Sequence, residues 1–186
     1  AIKKLRVRGA PAIGVCAALG IAKTASQVQA DNYADFHREF LELKDYFASS
    51  RPTAVNLFWA LNRMEDTLKA NRAKNIDEIK EILFKEADNI RNEDIAISRG
   101  IGELGFKLLK KLKRNGKEIG IMTHCNAGTL ATAKYGTATA PMDTALENGF
   151  LGSDMHVYCD ETRPLLQGAR LTAFELSNAG ITTTLQ

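Results

Sequence analysis

The stretch E-I-G-I-M-T-H-C-N-A-G-T, residues 118–129, indicates the fold of the carboxyl-terminal part of the chain. Its first six residues form a short, mostly apolar run, as in a strand buried in a parallel sheet. Small and polar residues follow, which is typical of the turn from a strand into a helix. We therefore expect a strand at 118–123 and a ligand site at its carboxyl end, where open α/β sheets bind ligands.

Two further strands are predicted downstream, at 156–159 and 181–185. A helical pattern begins at Leu130, restarts at Pro141 and precedes the strand at 156–159. A helix predicted at 164–179, with Gly180 as its stop, precedes the strand at 181–185. This alternation predicts right-handed crossovers in a parallel sheet. Three strands leave exposed edges, so we expect further strands in a longer parent protein.

Upstream, the apolar residues recur at helical spacing. The pattern predicts the end of a helix at 1–8, helices at 12–30, 33–48 and 53–70, and a long helix from the capping pair Asn75 and Glu78 to about Lys113, broken near 98–102. The fold class is therefore α/β. We predict an all-helical domain at 1–115, then the first part of a Rossmann-like sheet domain at 116–186, apparently truncated.

The composition excludes several classes of protein. Apolar residues make up 45% and charged residues 25% of the 186 residues, and the net charge is +3, as in an ordinary globular protein. No basic stripe with interleaved aromatics predicts nucleic-acid binding, and no apolar run approaches the ~20 residues of a membrane span. The three cysteines lie far apart with no Cys/His ligand spacing, so we expect no metal, no cofactor and a cytoplasmic location.

Cys125 is the candidate catalytic thiol. A thiol after a parallel strand, at the start of a helix, is activated by the helix dipole. From spacing alone, a buried and inert cysteine in a tight turn is the alternative. We expect Cys159, inside the second strand, to belong to the core. His124 points to the opposite face from Cys125 by alternation, so we expect a structural or supporting role for it.

Three other segments suit an anion or a polar ligand. In 6–14, Arg8 precedes Gly9 and Ala10 at a helix start, where a guanidinium and free N–H groups bind phosphate. Arg51 precedes a second helix start. Taken alone, helix punctuation explains the Arg8 segment about as well as phosphate binding does, and helix capping explains the Arg51 segment better. The segment 160–170, after the second strand, has polar groups at the same sheet edge as Cys125.

Taken together and in this order, V-R-G-A-P-A-I-G (7–14), R-P-T-A-V-N-L (51–57), T-H-C-N-A-G (123–128) and 160–170 resemble signature segments of methylthioribose-1-phosphate isomerases. The resemblance implies a helical amino-terminal domain, a Rossmann-like carboxyl-terminal domain and a homodimer of the full-length protein. It also implies kinship with the regulatory subunits of translation initiation factor 2B.

The resemblance also assigns roles to residues. It implies that Cys125 is the catalytic thiol, that Gln167 contacts substrate, and that the substrate phosphate is bound by Arg8, Gly9, Ala10 and Arg51. The family has a second catalytic residue, an aspartate in a Gly-Ala-Asp-Arg segment, and no such segment occurs in residues 1–186. Asp160 does not replace it, because Asp160 belongs to a different motif.

The implied reaction converts 5-methylthioribose 1-phosphate, an aldose, into 5-methylthioribulose 1-phosphate, a ketose, in methionine salvage. Three alternatives remain open. In the first, the substrate is a different small phosphorylated sugar, such as ribose 1,5-bisphosphate. In the second, the protein is a non-catalytic regulatory subunit of the initiation factor 2B type, although the presence of Cys125 argues against this. In the third, the chain of 186 residues is inactive by itself.

Overall fold

The computed structural model describes residues 1–114 and 116–186, which form two compact units, Ala1–Asp94 and Ile95–Gln186. Six α-helices and one three-stranded parallel sheet are present in the described residues. The predicted α/β class is therefore confirmed. None of the described helices combines the length and the apolar composition that crossing a membrane requires.

The first unit is built from helices. They are α1 (Ala10–Ala25), α2 (Tyr33–Ala48), α3 (Val55–Ala70) and the first half of α4 (Ile76–Leu112). Large apolar side chains on their inner faces are fully buried, among them Ile21, Phe36, Phe40, Leu61 and Leu83. Alanines of α1 are buried as well, and their small size lets the neighbouring helices approach closely.

Local capping explains where these helices begin. The Asp35 amide donates to Asn32 Oδ1 over 3.0 Å at the start of α2. At α4, the Glu78 amide donates to Asn75 Oδ1 over 2.9 Å and the Asn75 amide donates to Glu78 Oε2 over 3.3 Å. This reciprocal pair is the capping box predicted from the sequence. Residues 1–8 form turns instead of the predicted helix end, with Leu5 in the left-handed region at φ 54°.

Helix α4 is continuous over 37 residues, so the predicted break at 98–102 is wrong. Gly102, inside the predicted break, and Gly105, just after it, serve close packing. A Cβ on Gly102 would lie 2.4 Å from Thr144 Oγ1, and a Cβ on Gly105 would lie 2.3 Å from Pro141 Cγ. Both glycines therefore let α5 (Ala140–Glu147) approach the backbone of α4.

The sheet of the second unit contains β1 (Ile119–Thr123), β2 (Met155–Cys159) and β3 (Thr182–Leu185) in that spatial order. All pairs are parallel, with Thr123 opposite Cys159 and Cys159 opposite Leu185. The carboxyl ends of the three strands therefore lie at one edge. Helix α5 precedes β2 and α6 (Ala173–Asn178) precedes β3.

One face of the sheet packs on helices. The buried cluster includes Met155, Val157 and Cys159 of β2 and, from the helices, Leu109, Met142 and Leu176. The expectation that Cys159 lies in the core is confirmed. Because Leu109 belongs to this cluster, the second unit includes the end of α4. The predicted domain boundary falls on Asn115, outside the described residues, and stays a prediction.

Two predicted helices are shorter than the sequence pattern suggests. After β1 only a 3₁₀ turn, Thr129–Ala131, forms, and the chain then folds back so that the Thr137 amide donates to the Ala127 carbonyl over 2.8 Å. The threonine-rich sequence at 129–139 favours this loop because threonine is a weak helix former. In the helix predicted at 164–179, turns and a π-helical segment, Gly168–Thr172, replace the first part. Gly180 ends α6 at φ 77°, as predicted.

Candidate functional site

Two strand ends meet at the carboxyl edge of the sheet. Cys125 follows β1 and is exposed, with its backbone in the left-handed region at φ 65°. Its amide donates to Thr162 Oγ1 over 2.9 Å, and Thr162, after β2, is also left-handed at φ 62°. The Thr162 hydroxyl donates in turn to the Asp160 carbonyl over 3.2 Å. The segments predicted to share this edge are therefore hydrogen-bonded to each other.

Gln167 contacts the thiol directly. Its Nε2 donates to Cys125 Sγ over 3.2 Å, which joins two of the residues implicated by the sequence. Gly168 allows this approach, because a Cβ there would lie 1.8 Å from the Asp160 carbonyl oxygen. Among the described residues Gln167 Oε1 is buried without a partner, so it is free to accept from a ligand.

The backbone of Cys125 is held from both sides. Thr172, buried in the π-helical segment, donates from Oγ1 to the Cys125 carbonyl over 2.7 Å, and Thr162 accepts from the amide as described above. A non-glycine residue in the left-handed region is costly and persists where its surroundings fix it. These two threonines provide that fixation.

The predicted activation of Cys125 by a helix dipole is wrong. The 3₁₀ turn at Thr129–Ala131 has only three residues and does not begin at Cys125. A single short turn has no appreciable macrodipole, because that dipole sums over many aligned peptides. The donor pointed at the sulfur is instead the side-chain amide of Gln167.

Glu175 organises the segment after Cys125, a role that no sequence motif predicted. Its Oε1 accepts from Asn126 Nδ2 over 3.0 Å, while Oε2 accepts from Thr129 Oγ1 over 2.7 Å and from the Leu130 amide over 3.3 Å. Glu175 lies beyond the 160–170 motif, in a part of the helical pattern where a glutamate is usually a solvated side chain.

Asp143, on α5, is a half-buried carboxyl near this cluster. Burial, together with the charges of Glu175 and Glu147, raises its pKa from 3.8 to about 6, and a hydrogen bond with Thr139 opposes the shift. Its Oδ2 is buried without a partner among the described residues. The charge of Asp143 therefore depends on pH in the mildly acidic range.

His124 is exposed, and its Nδ1 lies 2.9 Å from Asp160 Oδ2. This contact joins the ends of β1 and β2 a second time. It fits the expected supporting role of His124, which stays a prediction.

The phosphate-binding residues expected from the sequence belong to the first unit. Gly9 is the N-cap of α1 at φ 92°, which favours glycine, and Ala10 is the first helical residue. Arg8 is exposed and Arg51 is half-buried, and neither guanidinium has an ion pair or hydrogen bond within residues 1–114 and 116–186. Both are therefore free to bind an anion.

The starts of α1 and α3 lie together. A Cβ on Gly14 would approach the Asn56 carbonyl oxygen to 3.1 Å, so these helices touch within their first turns. No side chain caps either helix, which leaves first-turn amides available. Free amides beside two unpaired arginines suit a phosphate. In the described part of the chain, no group of three His, Cys, Asp or Glu side chains is placed to hold a metal ion.

Residues 6–186 match the model of the initiation factor 2 subunit family. The chain is 54% identical to the methylthioribose-1-phosphate isomerase of Symbiobacterium thermophilum and 52% identical to the 5-deoxyribose 1-phosphate isomerase of Petrotoga mobilis. Each comparison extends over 185 residues, which is 100% of this chain and 49% and 51% of the two relatives.

A crystal structure of 5-methylthioribose 1-phosphate isomerase from Pyrococcus horikoshii has a similar fold, with a TM-score of 0.84 and 39% identity. The match covers 100% of this chain and 49% of the chain in that crystal structure. The chain thus spans about half the length of the curated relatives and of the solved structure.

Proposed function

The chain belongs to the initiation factor 2 subunit family, and we propose that the protein isomerises a sugar 1-phosphate from aldose to ketose. The proposed substrate is 5-methylthioribose 1-phosphate and the product is 5-methylthioribulose 1-phosphate. The observation that carries this proposal is the exposed thiol of Cys125 at the carboxyl edge of the sheet, with the Gln167 amide 3.2 Å from its sulfur. The 54% identity to an isomerase of this substrate supports it.

The chemistry of the substrate defines what the site must supply. The anomeric carbon carries a phosphate, so the ring does not open spontaneously as a free sugar does. Opening breaks the bond between C1 and the ring oxygen, and an acid must protonate that oxygen as it leaves. The hydrogen on C2 then moves to C1, and the C2 hydroxyl becomes a carbonyl by releasing its proton, which balances the proton that the ring oxygen took up.

We assign the second step to Cys125. Its thiolate accepts the proton from C2, and the thiol returns a proton to C1. The Gln167 amide stabilises negative charge on the sulfur, since it is a fixed donor at the atom where that charge develops. The free Oε1 of Gln167 accepts from a sugar hydroxyl. We assign ring opening to no described residue.

The phosphate contacts belong to the amino-terminal unit. Arg8 and Arg51 provide guanidinium groups that have no other partner in the described residues, and the amides at Gly9 and Ala10 lie at the positive end of α1. They would bind the phosphate dianion of the substrate.

A second candidate substrate is 5-deoxyribose 1-phosphate, which a relative with 52% identity is named for. The two sugars differ only in the methylthio group at C5, away from the reacting carbons, so the same thiol serves both. Ribose 1,5-bisphosphate is a more distant candidate because its second phosphate needs a second anion site. We further propose a homodimer and a cytoplasmic location.

The proposal is tested on the full-length protein with 5-methylthioribose 1-phosphate, 5-deoxyribose 1-phosphate and ribose 1,5-bisphosphate as separate substrates. We expect conversion of the methylthio sugar to its ketose, followed by ³¹P NMR, and a loss of more than about a thousandfold in kcat for Cys125→Ala. Preference for another of the three sugars would change the assigned substrate. Absence of turnover on all three would overturn the isomerase and favour a regulatory subunit.

A further inference from the structure

We propose that Glu175 is a positioning residue that holds the segment 125–130 in the arrangement that reaction at Cys125 requires. The inference rests on the proposed function, in which the Cys125 thiol reacts. It assigns to Glu175 no contact with the substrate or with the sulfur. Glu175 acts through the loop that follows β1, and the contacts that it makes carry the argument.

The Glu175 carboxylate is surrounded by donors of this one loop. The side chain of Asn126, the hydroxyl of Thr129 and the amide of Leu130 all donate to it. Hydrogen bonds to a charged acceptor are about twice as strong as neutral ones. The loop therefore wraps around a single anionic group instead of forming a helix.

Gly128 completes the enclosure. A Cβ at this position would lie 2.4 Å from Glu175 Oε2, so the carboxylate packs directly on the bare backbone of the loop. The sequence Asn-Ala-Gly-Thr thus has a local explanation. Its glycine provides the space for the carboxylate and its two polar residues provide donors.

The contacts extend from Glu175 to Cys125. A carboxylate accepts only, so the nitrogen of the Asn126 amide must face Glu175 and its Oδ1 must face away. The same nitrogen lies 3.4 Å from Thr172 Oγ1, and that hydroxyl donates to the Cys125 carbonyl over 2.7 Å. Displacing Asn126 therefore disturbs the backbone that keeps Cys125 left-handed and its thiol beside Gln167.

The charge of Glu175 is needed in addition to its shape. Its two oxygens accept from donors on both sides, whereas a glutamine has one oxygen and one NH₂ group. Glu175→Gln must therefore turn its NH₂ either toward the Leu130 amide, which is a donor, or toward Asn126, whose own amide must then rotate and lose its Nδ2 contact with Thr172. The substitution keeps the volume and disrupts the network in either orientation.

The test compares Glu175→Gln with Glu147→Gln in the full-length protein. Glu147 is an exposed carboxyl of α5 that also acts on the charge of Asp143, so it controls for the general loss of negative charge. For each variant we would measure kcat and KM, thermal unfolding, and the rate at which iodoacetamide alkylates Cys125, located by peptide mass spectrometry. The alkylation rate requires no substrate.

For Glu175→Gln we expect kcat to fall about tenfold with KM changed less than about twofold. We expect alkylation of Cys125 to slow by about threefold or more, because the sulfur is already exposed and loses its fixed donor. Thr129→Val removes one donor from the loop and should give a smaller change of the same kind. Combined with Glu175→Gln it should add little.

A folded Glu175→Gln variant with wild-type kcat and wild-type alkylation would overturn the proposal. So would an equal effect of Glu147→Gln. If the wild-type protein isomerises no sugar 1-phosphate, the proposed function fails, and slowed alkylation in Glu175→Gln alone still supports the positioning role. If Glu175→Gln does not fold, Thr129→Val decides the question by the same two measurements.

Discussion

The side-chain amide of Gln167 donates to the thiol of Cys125 over 3.2 Å, across 42 residues of sequence. Neighbouring parallel strands bring the two together, since Cys125 follows β1 and Gln167 lies in the loops after β2. The approach also depends on Gly168, whose lack of a side chain lets the chain pass against the Asp160 carbonyl. The geometry gives the sulfur a fixed donor and leaves it exposed.

We expect Gln167→Ala to lower kcat about tenfold, because one neutral hydrogen bond to the reacting group is lost. Isomerase assays of the full-length protein measure the effect, with Gln27→Ala as control, since Gln27 is an exposed glutamine of the first unit. An effect on KM alone, with kcat unchanged, would mean that Gln167 binds substrate without acting on the sulfur.

Arg8→Ala and Arg51→Ala should each raise KM about tenfold or more and lower kcat less, because a guanidinium contact with a phosphate dianion is lost. The control is Arg72→Ala, at an exposed arginine that also has no ion pair in the described residues. The assignment of the phosphate site fails if KM in both variants stays at the value of the control.

Isomerisation in D₂O distinguishes the two routes for the hydrogen. A proton carried by the exposed Cys125 thiol exchanges with solvent, so the relay predicts deuterium at C1 of the product. NMR of the ketose detects it directly. Product without deuterium, formed at the wild-type rate, would show a hydride shift from C2 to C1 and would leave Cys125 without its assigned role.

How much of this arrangement is predictable from the sequence depends on the range of the interactions involved. The strands, α2 and the capping box at Asn75 follow from local patterns, and the predicted kinship with initiation factor 2B proteins is confirmed by the family match. The unbroken α4 was missed because Gly102 and Gly105 serve packing against α5, a contact that no local pattern encodes.

The candidate site shows the same division. Cys125 and Gln167 were selected by motif, and the structure joins them. Glu175 was missed because its donors are distant in sequence, with a separation of 45 positions between it and Leu130. The helix expected from Leu130 was wrong for a related reason, since the Thr129 hydroxyl and the Leu130 amide donate to the distant Glu175 carboxylate, a contact that no local pattern encodes.

Gly168→Ala should destabilise the second unit by about 2 kcal/mol, because the added methyl group would lie 1.8 Å from the Asp160 carbonyl oxygen. Gly100→Ala is the matched control. Its Cβ would meet no atom within 4 Å, so alanine in the middle of α4 should stabilise by about 0.5–1 kcal/mol. Urea unfolding of both variants measures the change in the free energy of unfolding, which should have opposite signs in the two. A destabilisation of equal size in both would show that the steric argument at Gly168 is wrong.

Titration of Asp143 should make the free energy of unfolding fall as pH rises through the mildly acidic range. Burial and the charges of Glu175 and Glu147 raise its folded-state pKa from 3.8 to about 6, so the folded state holds a proton that the unfolded state releases. The stabilisation is fully present below about pH 4 and is lost by the time pH exceeds about 6. Asp143→Asn removes this dependence.

We expect Asp143→Asn to raise the free energy of unfolding at pH 7 by about 1 kcal/mol, which allows for solvent screening of a half-buried group. Near pH 4 the difference between the variant and the wild type should be much smaller, because Asp143 is then protonated in the folded state and only about half ionised in the unfolded state. Urea unfolding from pH 4 to 7.5 measures the difference, with Asp31→Asn at an exposed carboxyl as control. A gain that persists unchanged at pH 4 would come from altered packing and would contradict a titrating Asp143.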